Sequence, residues 1–351
     1  MIDFLIVGNG IAGVCFVELA LQNNKTVLVF DNDSQPSSRI AGGLYNPVVL
    51  KRFSEIWKAK EQVDLMESFY PELQIKLGVT FDYKMPIYRK FASIEEQNNW
   101  FQAADKPSLK DFLNTQLFID EFKNIKASFG FGEVFKTGYL DSNAMVEAYS
   151  EYLINQSLLI EETFDYSKIV ITETGVNYKG IEAKHLVFCE GFGLQANPYF
   201  NDLPLDGTKG ELVIIKAPDL KLHAVIKSNI FILPIGDDMY KVGATYNWQD
   251  KTNEPTADGK SELLANLEDL ISCDYDVVHH YAGVRPTVRD RRPLVGTHYQ
   301  YPYLHVLNGL GTRGVMLGPF LAKQLFNHLE YNLPLETEID INRFYKKRRL
   351  L

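Results

Sequence analysis

The chain has 351 residues, of which 46% are hydrophobic and 23% charged, a composition that excludes disordered and low-complexity fibrous proteins. This length favours two closely connected domains over one core. The formal net charge of −9 argues against a general attraction to nucleic acid, and we interpret the basic run at residues 346–349 as a solvated helix end.

The first predicted elements form a βαβ unit. Residues 4–7 and 26–30 are apolar runs typical of buried parallel strands, and residues 11–22 between them have the composition of a buried helix. We therefore predict a parallel sheet that starts at the N-terminus, with the helix packed on one of its faces.

A glycine fingerprint joins the first strand to the helix. Gly8, Gly10 and Gly13 form the pattern G-x-G-x-x-G, and Asp31 follows the second strand. The first glycine permits a tight turn, the second lets the backbone approach a pyrophosphate, and the third lets helix and strand pack closely. Helix N–H groups would bind the diphosphate, and Asp31 would accept a hydrogen bond from a ribose hydroxyl. The unit therefore predicts a dinucleotide site.

Later elements alternate between the two kinds of sheet. We predict a helix at residues 54–75, a strand at 186–189, antiparallel strands at 212–215, 230–234 and 240–243, a helix near 260–271 and a strand at 304–307. The strands at 186–189 and 304–307 each end near glycine and favour the first sheet. The sequence thus predicts an α/β fold in which a discontinuous dinucleotide domain (1–75, 140–207 and 281–351) is interleaved with an α+β substrate domain (76–139 and 208–280) that carries a mainly antiparallel sheet.

Two further glycine-rich segments follow predicted strands. We interpret residues 191–196 as a glycine turn near the nucleotide and not as a second dinucleotide site, because Pro198 disfavours the helix that such a site would require. Residues 309–314 open a helix that has Pro319 in an early turn. A helix that begins there presents N–H donors to an anion.

Other chemistry is disfavoured by the residue pattern. Cys15, Cys189 and Cys273 are scattered without a Cys-x-x-Cys pair, and the histidines lack ligand spacing, so we expect neither disulfide nor metal site. This cysteine usage fits a reducing cytoplasm. We expect no membrane span.

Several motifs, in order over nearly the whole chain, resemble the FAD-dependent amino-acid oxidase superfamily, which includes glycine oxidase, D-amino-acid oxidase and sarcosine oxidase. Besides the fingerprint they are residues 37–44, 187–191, 209–211, 233–234 with 242–245, and 282–286. The resemblance implies that the dinucleotide domain is a Rossmann-like FAD-binding domain. It places these residues at the cofactor: Gly8, Gly10, Ile11, Ala12, Gly13, Asp31, Ser37, Ser38, Ala41, Gly42, Gly43, Leu44, Cys189, Gly191, Gly283, Arg285, Gly311, Thr312, Arg313, Gly314 and Val315. We expect non-covalent FAD, because residues 37–46 and 304–319 offer no histidine or cysteine for attachment except His305, which lies within the predicted strand.

The resemblance implies oxidation of a C–N bond in a small amine or amino acid, with hydride transfer to flavin N5 and hydrolysis of the resulting imine. Arg285 matches the family arginine that binds the substrate carboxylate, and Arg313 would serve the flavin or a second anion. Phe231 stands where glycine oxidase and D-amino-acid oxidase have a tyrosine hydroxyl, so we expect Tyr246 or Tyr45 to replace that donor. The electron acceptor, oxygen or another such as quinone, stays open.

Within the superfamily, the chain most resembles the oxidase half of the bifunctional enzyme that makes methylaminomethyl-thiouridine at the tRNA wobble position. Residues 43–47, 289–296 and 310–314 with Pro319 carry this resemblance. It implies oxidation of a carboxymethylaminomethyl group as an alternative, with tRNA as a possible partner that the acidic charge does not favour and with the methyltransferase half expected to be absent. We also expect one of Arg289, Arg291 and Arg292 to pair with Asp290. An NAD-dependent dehydrogenase and a flavin-binding protein without catalysis remain further alternatives.

Overall fold

The computed structural model, which describes residues 1–345, is organised around two large β-sheets. The strands are β1 (Ile2–Val7), β2 (Val27–Asp31), β3 (Leu44–Tyr45), β4 (Val48–Val49), β5 (Ser54–Glu55), β6 (Asp82–Lys84), β7 (Ile87–Lys90), β8 (Phe131–Val134), β9 (Gly138–Leu140), β10 (Leu159–Glu161), β11 (Ile169–Ile171), β12 (Val176–Tyr178), β13 (Ile181–Phe188), β14 (Thr208–Lys216), β15 (Val225–Lys227), β16 (Phe231–Gly236), β17 (Met239–Gly243), β18 (Asp276–Arg285), β19 (Leu294–Thr297) and β20 (Leu304–Asn308). The helices are α1 (Ile11–Gln22), α2 (Ser37–Ile40), α3 (Ala59–Leu77), α4 (Ile94–Ala104), α5 (Ser142–Asn155), α6 (Ala257–Glu268), α7 (Gly314–Tyr331) and α8 (Asn342–Tyr345), with 3-10 segments at Tyr166–Lys168 and Gly191–Ala196.

The first sheet is the predicted dinucleotide-type sheet. Its order is β10-β2-β1-β13-β12-β11, with β20 beside β13 and β19 beside β20. The strands β10, β2, β1, β13 and β20 run parallel. Phe4, Leu5 and Ile6 of β1 are all buried, because both faces of a central parallel strand are covered. The predicted βαβ unit is confirmed, and α1 has the predicted bounds.

The second sheet has the order β18-β14-β17-β16-β15-β7-β8 and is antiparallel except where β15 pairs with β7. Side chains alternate between its faces. One row across the strands, Val213, Val242, Ile232, Ile226 and Tyr88, packs into a core with α6. The neighbouring row, which includes Leu212, Phe231 and Lys227, lies on the opposite face. The mixed α/β architecture with one parallel and one mainly antiparallel sheet is therefore as predicted.

Two predicted helices have different bounds in the structure. The helix predicted at 54–75 begins at Ala59, because Ser54 and Glu55 pair with β4 and Lys58 adopts a left-handed conformation with φ 52°. The helix predicted near 260–271 is α6, three residues earlier at each end. Thr256 caps it, accepting a hydrogen bond from the Gly259 N–H at 3.0 Å. The turn predicted at 191–196 is a 3-10 helix.

The predicted domain boundaries stay a proposal. Strand β18 belongs to the second sheet throughout its length, so the proposed boundary at residue 281 falls inside a strand. After β18, the chain leaves the second sheet and returns to the first sheet at β19.

Helix α7 contains a proline that a neighbouring helix accommodates. Pro319 is the sixth residue of α7 and cannot donate to the carbonyl of Val315 four residues earlier. The Tyr70 hydroxyl of α3 donates to that carbonyl instead, at 2.6 Å, in a buried position. A side chain from α3 thus completes the hydrogen bonding of α7.

Within residues 1–345, no helix is long and apolar enough to cross a membrane. The basic run of Lys346, Lys347, Arg348 and Arg349 lies outside the described residues.

Candidate active site

A cavity of about 650 Å³ is lined by elements of both sheets. This volume is in the range of small-molecule and cofactor sites. Every residue predicted to contact the cofactor or substrate lines it, except Gly13, which lies behind the loop at the start of α1. The structure therefore brings together segments that are up to 300 residues apart in the chain.

The start of α1 offers backbone donors to an anion. Gly10 is the N-cap and the first turn, Ile-Ala-Gly, has no acidic residue. The N–H of Ile11 donates to the Ser38 hydroxyl at 3.2 Å. A Cβ at Gly13 would lie 2.0 Å from the Gly8 carbonyl oxygen, so only glycine allows this close turn. A diphosphate fits this arrangement, because helix N-termini attract anions.

The carboxyl ends of β2 and β13 each place an acidic side chain in the cavity. Asp31 accepts a hydrogen bond from the Asn9 N–H, and burial raises the pKa of its carboxyl group. Glu190, which sequence reasoning missed as a site residue, accepts from Asn197 Nδ2 at 2.8 Å and from the Tyr166 hydroxyl. Burial raises the pKa of Glu190 to about 7. Its position directly after the apolar run predicted as a strand at 186–189 was the signal that could have identified it.

Asn9, inside the fingerprint, is a second residue that the sequence analysis did not select. Its Nδ2 donates to the Ser150 hydroxyl at 2.8 Å. Its Oδ1 is buried and has no hydrogen-bond partner among residues 1–345. Because buried polar atoms are rarely left unpaired, this oxygen is available to a ligand donor in the cavity.

Arg285 and Arg313 are cations that have no acidic partner in the part of the chain that the structure describes. Among the described residues, no carboxylate oxygen lies within 4.0 Å of either guanidinium group, and burial lowers the pKa of both. Arg285 donates to the Thr245 carbonyl at 3.2 Å and lies over the Tyr246 ring at 4.7 Å. A Cβ at Gly210 would be 1.9 Å from a guanidinium nitrogen of Arg285, so the glycine makes room for it. These two side chains therefore favour an anionic ligand.

The two tyrosines predicted to replace the missing hydroxyl differ in availability. The Tyr45 hydroxyl donates to Asp82 at 2.7 Å and the residue is 2% exposed, so this donor is already in use. Tyr246 is 58% exposed beside Arg285. Phe231 lies against the 42–43 loop, since a Cβ at Gly42 would be 2.6 Å from its ring.

The expected pairing of Asp290 with a neighbouring arginine is wrong. Asp290 binds Arg343 instead, with Nε 3.0 Å from Oδ2. Arg291 stacks on Trp248 and Arg292 on Trp57, at 4.8 and 5.5 Å from the ring centroids. Aromatic faces compensate these guanidinium groups in place of a carboxylate.

Within the motif at 209–211, the two residues beside Gly210 form hydrogen bonds that hold a neighbouring loop. Lys209 is fully buried and donates to Asp250 and to Thr252, the latter at 3.2 Å. Glu211 accepts from the Thr256 N–H and hydroxyl at 2.9 and 2.7 Å. The pair thus fixes the 247–256 loop that follows Tyr246. In the part of the chain that the structure describes, no group of three or more His, Cys, Asp or Glu side chains is placed to hold a metal ion.

Lys227 is a cavity residue that sequence reasoning did not single out. It ends β15 and burial lowers its pKa to about 8. Nothing in the local sequence, Ile-Lys-Ser-Asn, distinguishes it from a surface lysine.

Comparisons with known proteins show what the chain is similar to. A family model described as FAD dependent oxidoreductase matches residues 3–327. Glycine oxidase of Bacillus subtilis is 21% identical over 338 residues, covering 90% of each chain. The tRNA 5-methylaminomethyl-2-thiouridine biosynthesis bifunctional protein MnmC of Haemophilus ducreyi is 22% identical over 97% of this chain, which spans 57% of that protein. The crystal structure of glycine oxidase from Geobacillus kaustophilus has a TM-score of 0.79 at 21% identity and covers 98% of this chain and 97% of that one.

Proposed function

We propose, from the premise that this chain belongs to the FAD-dependent oxidoreductase family, that it oxidises the C–N bond of a small amine or amino acid bearing a carboxylate. Membership confirms the family resemblance and excludes the NAD-dependent alternative. The similarity to glycine oxidase supports the substrate class. The observation that carries the proposal is Arg285, a guanidinium group in the cavity without an acidic partner among the described residues.

The residues that would hold FAD divide by the chemistry of its parts. The N–H groups at the start of α1 would bind the diphosphate and Asp31 the adenosine ribose. The start of α7, after Gly311 and Thr312, would place its N–H groups near the ring system. When bound, FAD supplies the acceptor for two electrons from the substrate carbon. We propose that it is held non-covalently, so acid precipitation should leave all the flavin in the supernatant; flavin that stays with the pellet would contradict this.

Arg285 would fix the substrate by its carboxylate, a bidentate task that lysine cannot perform equally well. The carbon beside the nitrogen then loses a hydride and the nitrogen a proton, which leaves an imine that water hydrolyses to an amine and a carbonyl compound. This chemistry requires positioning more than acid–base catalysis. Gly210 and the Thr245 carbonyl hold Arg285 in place for it.

The test is anaerobic reduction of the purified yellow protein by a panel of amino acids and N-substituted glycines. We expect at least one to bleach the flavin, and Arg285→Ala to lower kcat/KM by about 10²–10⁴-fold while FAD stays bound, since a buried charge pair is worth several kcal/mol. Arg343→Ala is the matched control, because Arg343 pairs with Asp290 and does not line the cavity. Unchanged turnover in Arg285→Ala would remove this residue from carboxylate binding. Hydrogen peroxide formation in air would identify oxygen as the acceptor.

A second candidate is oxidation of a carboxymethylaminomethyl group in tRNA. One observation favours it: Tyr246 and Trp248 are 58% and 40% exposed, and each stacks against an arginine, a combination that binds unpaired bases. The similarity to the Haemophilus ducreyi protein also supports it. Faster flavin reduction by tRNA carrying this group than by the free modified nucleoside would establish the RNA-linked function; equal rates would reject it.

A further inference from the structure

Lys227 lies on the cavity face of the second sheet. Its Cα is directly opposite Phe231 on β16 and Arg89 on β7, and the same row continues through Gly243 to Leu212 on β14. Residues directly opposite one another in a sheet point to the same face. Lys227, Phe231 and Leu212 accordingly all line the cavity.

The charge of Lys227 is not compensated by the protein around it. Arg89, its neighbour in the row, already pairs with Glu96 at 2.6 Å and donates to the Ser228 carbonyl at 3.0 Å. Among residues 1–345, no carboxylate oxygen lies within 4.0 Å of the Lys227 amine, whose nearest acceptor is the Asn229 carbonyl at 3.5 Å. Burial and Arg89 both lower the pKa of the amine, to about 8, so it is mostly charged at pH 7. A partly buried cation of this kind favours an anionic ligand.

Arg285 and Lys227 lie at opposite ends of one stretch of the sheet. The Arg285 guanidinium group covers Gly210 on β14, while Lys227 is on β15, three strands away across β17 and β16. Three strand spacings, about 14 Å, separate the β14 backbone under the Arg285 guanidinium group from the β15 backbone that carries Lys227, and the Lys227 side chain is long enough to shorten the gap between the two charges. Gly243 and the Phe231 ring form an apolar floor between them.

We propose that the substrate is an amine with two anionic groups: one carboxylate bound by Arg285, and a second anion, carried on a short apolar tail across Phe231, bound by Lys227. This inference rests on the proposed function and specifies its substrate class. A substrate with a single carboxylate would leave Lys227 without a counter-ion. Lys227 is then a residue that determines specificity.

The experiment compares two matched series of amines on the FAD-loaded enzyme. One series consists of the N-carboxymethyl derivatives of glycine, of β-alanine and of 4-aminobutyrate, each of which has two carboxylates. The other series consists of N-alkylglycines of the same lengths, each of which has one carboxylate. We expect kcat/KM for the best dianionic member to exceed that of its neutral-tailed match by at least about tenfold, the effect of roughly one new charge-assisted contact. Lys227→Met should reduce this ratio to about one, because only the dianionic series has a second anion to lose its contact.

Lys90→Met is the control, because Lys90 is a partly buried lysine on β7 whose side chain points to the opposite face. It should keep the preference. As a measurement that needs no variant, glutarate and adipate should perturb the flavin spectrum of the wild-type enzyme at lower concentration than butyrate and hexanoate. If N-alkylglycines are turned over but the dianionic amines are not preferred, this inference alone is overturned. The same holds if Lys227→Met lowers kcat/KM equally for both series. Failure of every amine to reduce the flavin overturns the proposed function as well.

Discussion

The hydrogen bond from Tyr70 to the Val315 carbonyl allows a prediction that tests what stabilises the end of α7 that lines the cavity. Tyr70→Phe removes the donor and leaves a buried carbonyl unpaired, since Pro319 cannot supply an N–H. An unsatisfied buried backbone group costs about 1–3 kcal/mol. Pro319→Ala restores the missing N–H, so in that background Tyr70→Phe should cost less than about 1 kcal/mol.

The assay is thermal unfolding of the wild type, both single variants and the double variant at saturating FAD. With an unfolding entropy of about 2.1 cal/mol/K per residue over 351 residues, 1–3 kcal/mol corresponds to a Tm decrease of about 1.5–4 °C. We expect that decrease in the proline background and less than half of it in the alanine background.

Tyr149→Phe is the matched control for this cycle. Tyr149 is also fully buried, but its hydroxyl donates to Glu18 at 3.1 Å and not to α7. Its effect on Tm should be the same with proline or alanine at position 319. If the effects of Tyr70→Phe and Pro319→Ala add within about 0.5 kcal/mol, the two residues are independent and the reasoning is wrong.

Two other changes have predicted outcomes. Gly13→Ala should weaken FAD binding by at least about tenfold, because the new Cβ would lie 2.0 Å from the Gly8 carbonyl oxygen and would displace the proposed diphosphate loop. Titration of the apoprotein with FAD measures the change in affinity. An unchanged Kd would contradict the proposed role of this loop. Asp250→Asn should lower Tm near neutral pH but not near pH 2. The Lys209 hydrogen bond lowers the pKa of Asp250 to about 2, so the stabilisation is complete above the ordinary pKa of 3.8 and is lost as the pH falls through 2. A Tm difference that persists unchanged at pH 2 would show that the ion pair is not its source.

Local patterns in the sequence were enough to predict the first sheet and the glycine turn that precedes α1. The fingerprint between two apolar runs defines a βαβ unit because its glycines, strand and helix are consecutive, and α1 has the predicted bounds. The antiparallel strands were recognisable for the same reason: alternation and turns are short-range signals. Helix starts were less predictable where a cap or a strand pairing decided them, as at Thr256 and at Ser54.

Only the tertiary structure decided which charged side chains of the cavity have partners. Asp290 binds Arg343, 53 residues away, and not an adjacent arginine. The Tyr45 hydroxyl donates a hydrogen bond to Asp82, while Arg285 and Lys227 have no acidic partner among the described residues. An ion pair depends on a few ångströms between groups that strand register brings together, and no local pattern encodes that distance. The sequence by itself therefore determined the fold and the glycine turn before α1, whereas the packing of the second sheet against the first determined which charged side chains of the cavity have an acidic partner among the described residues.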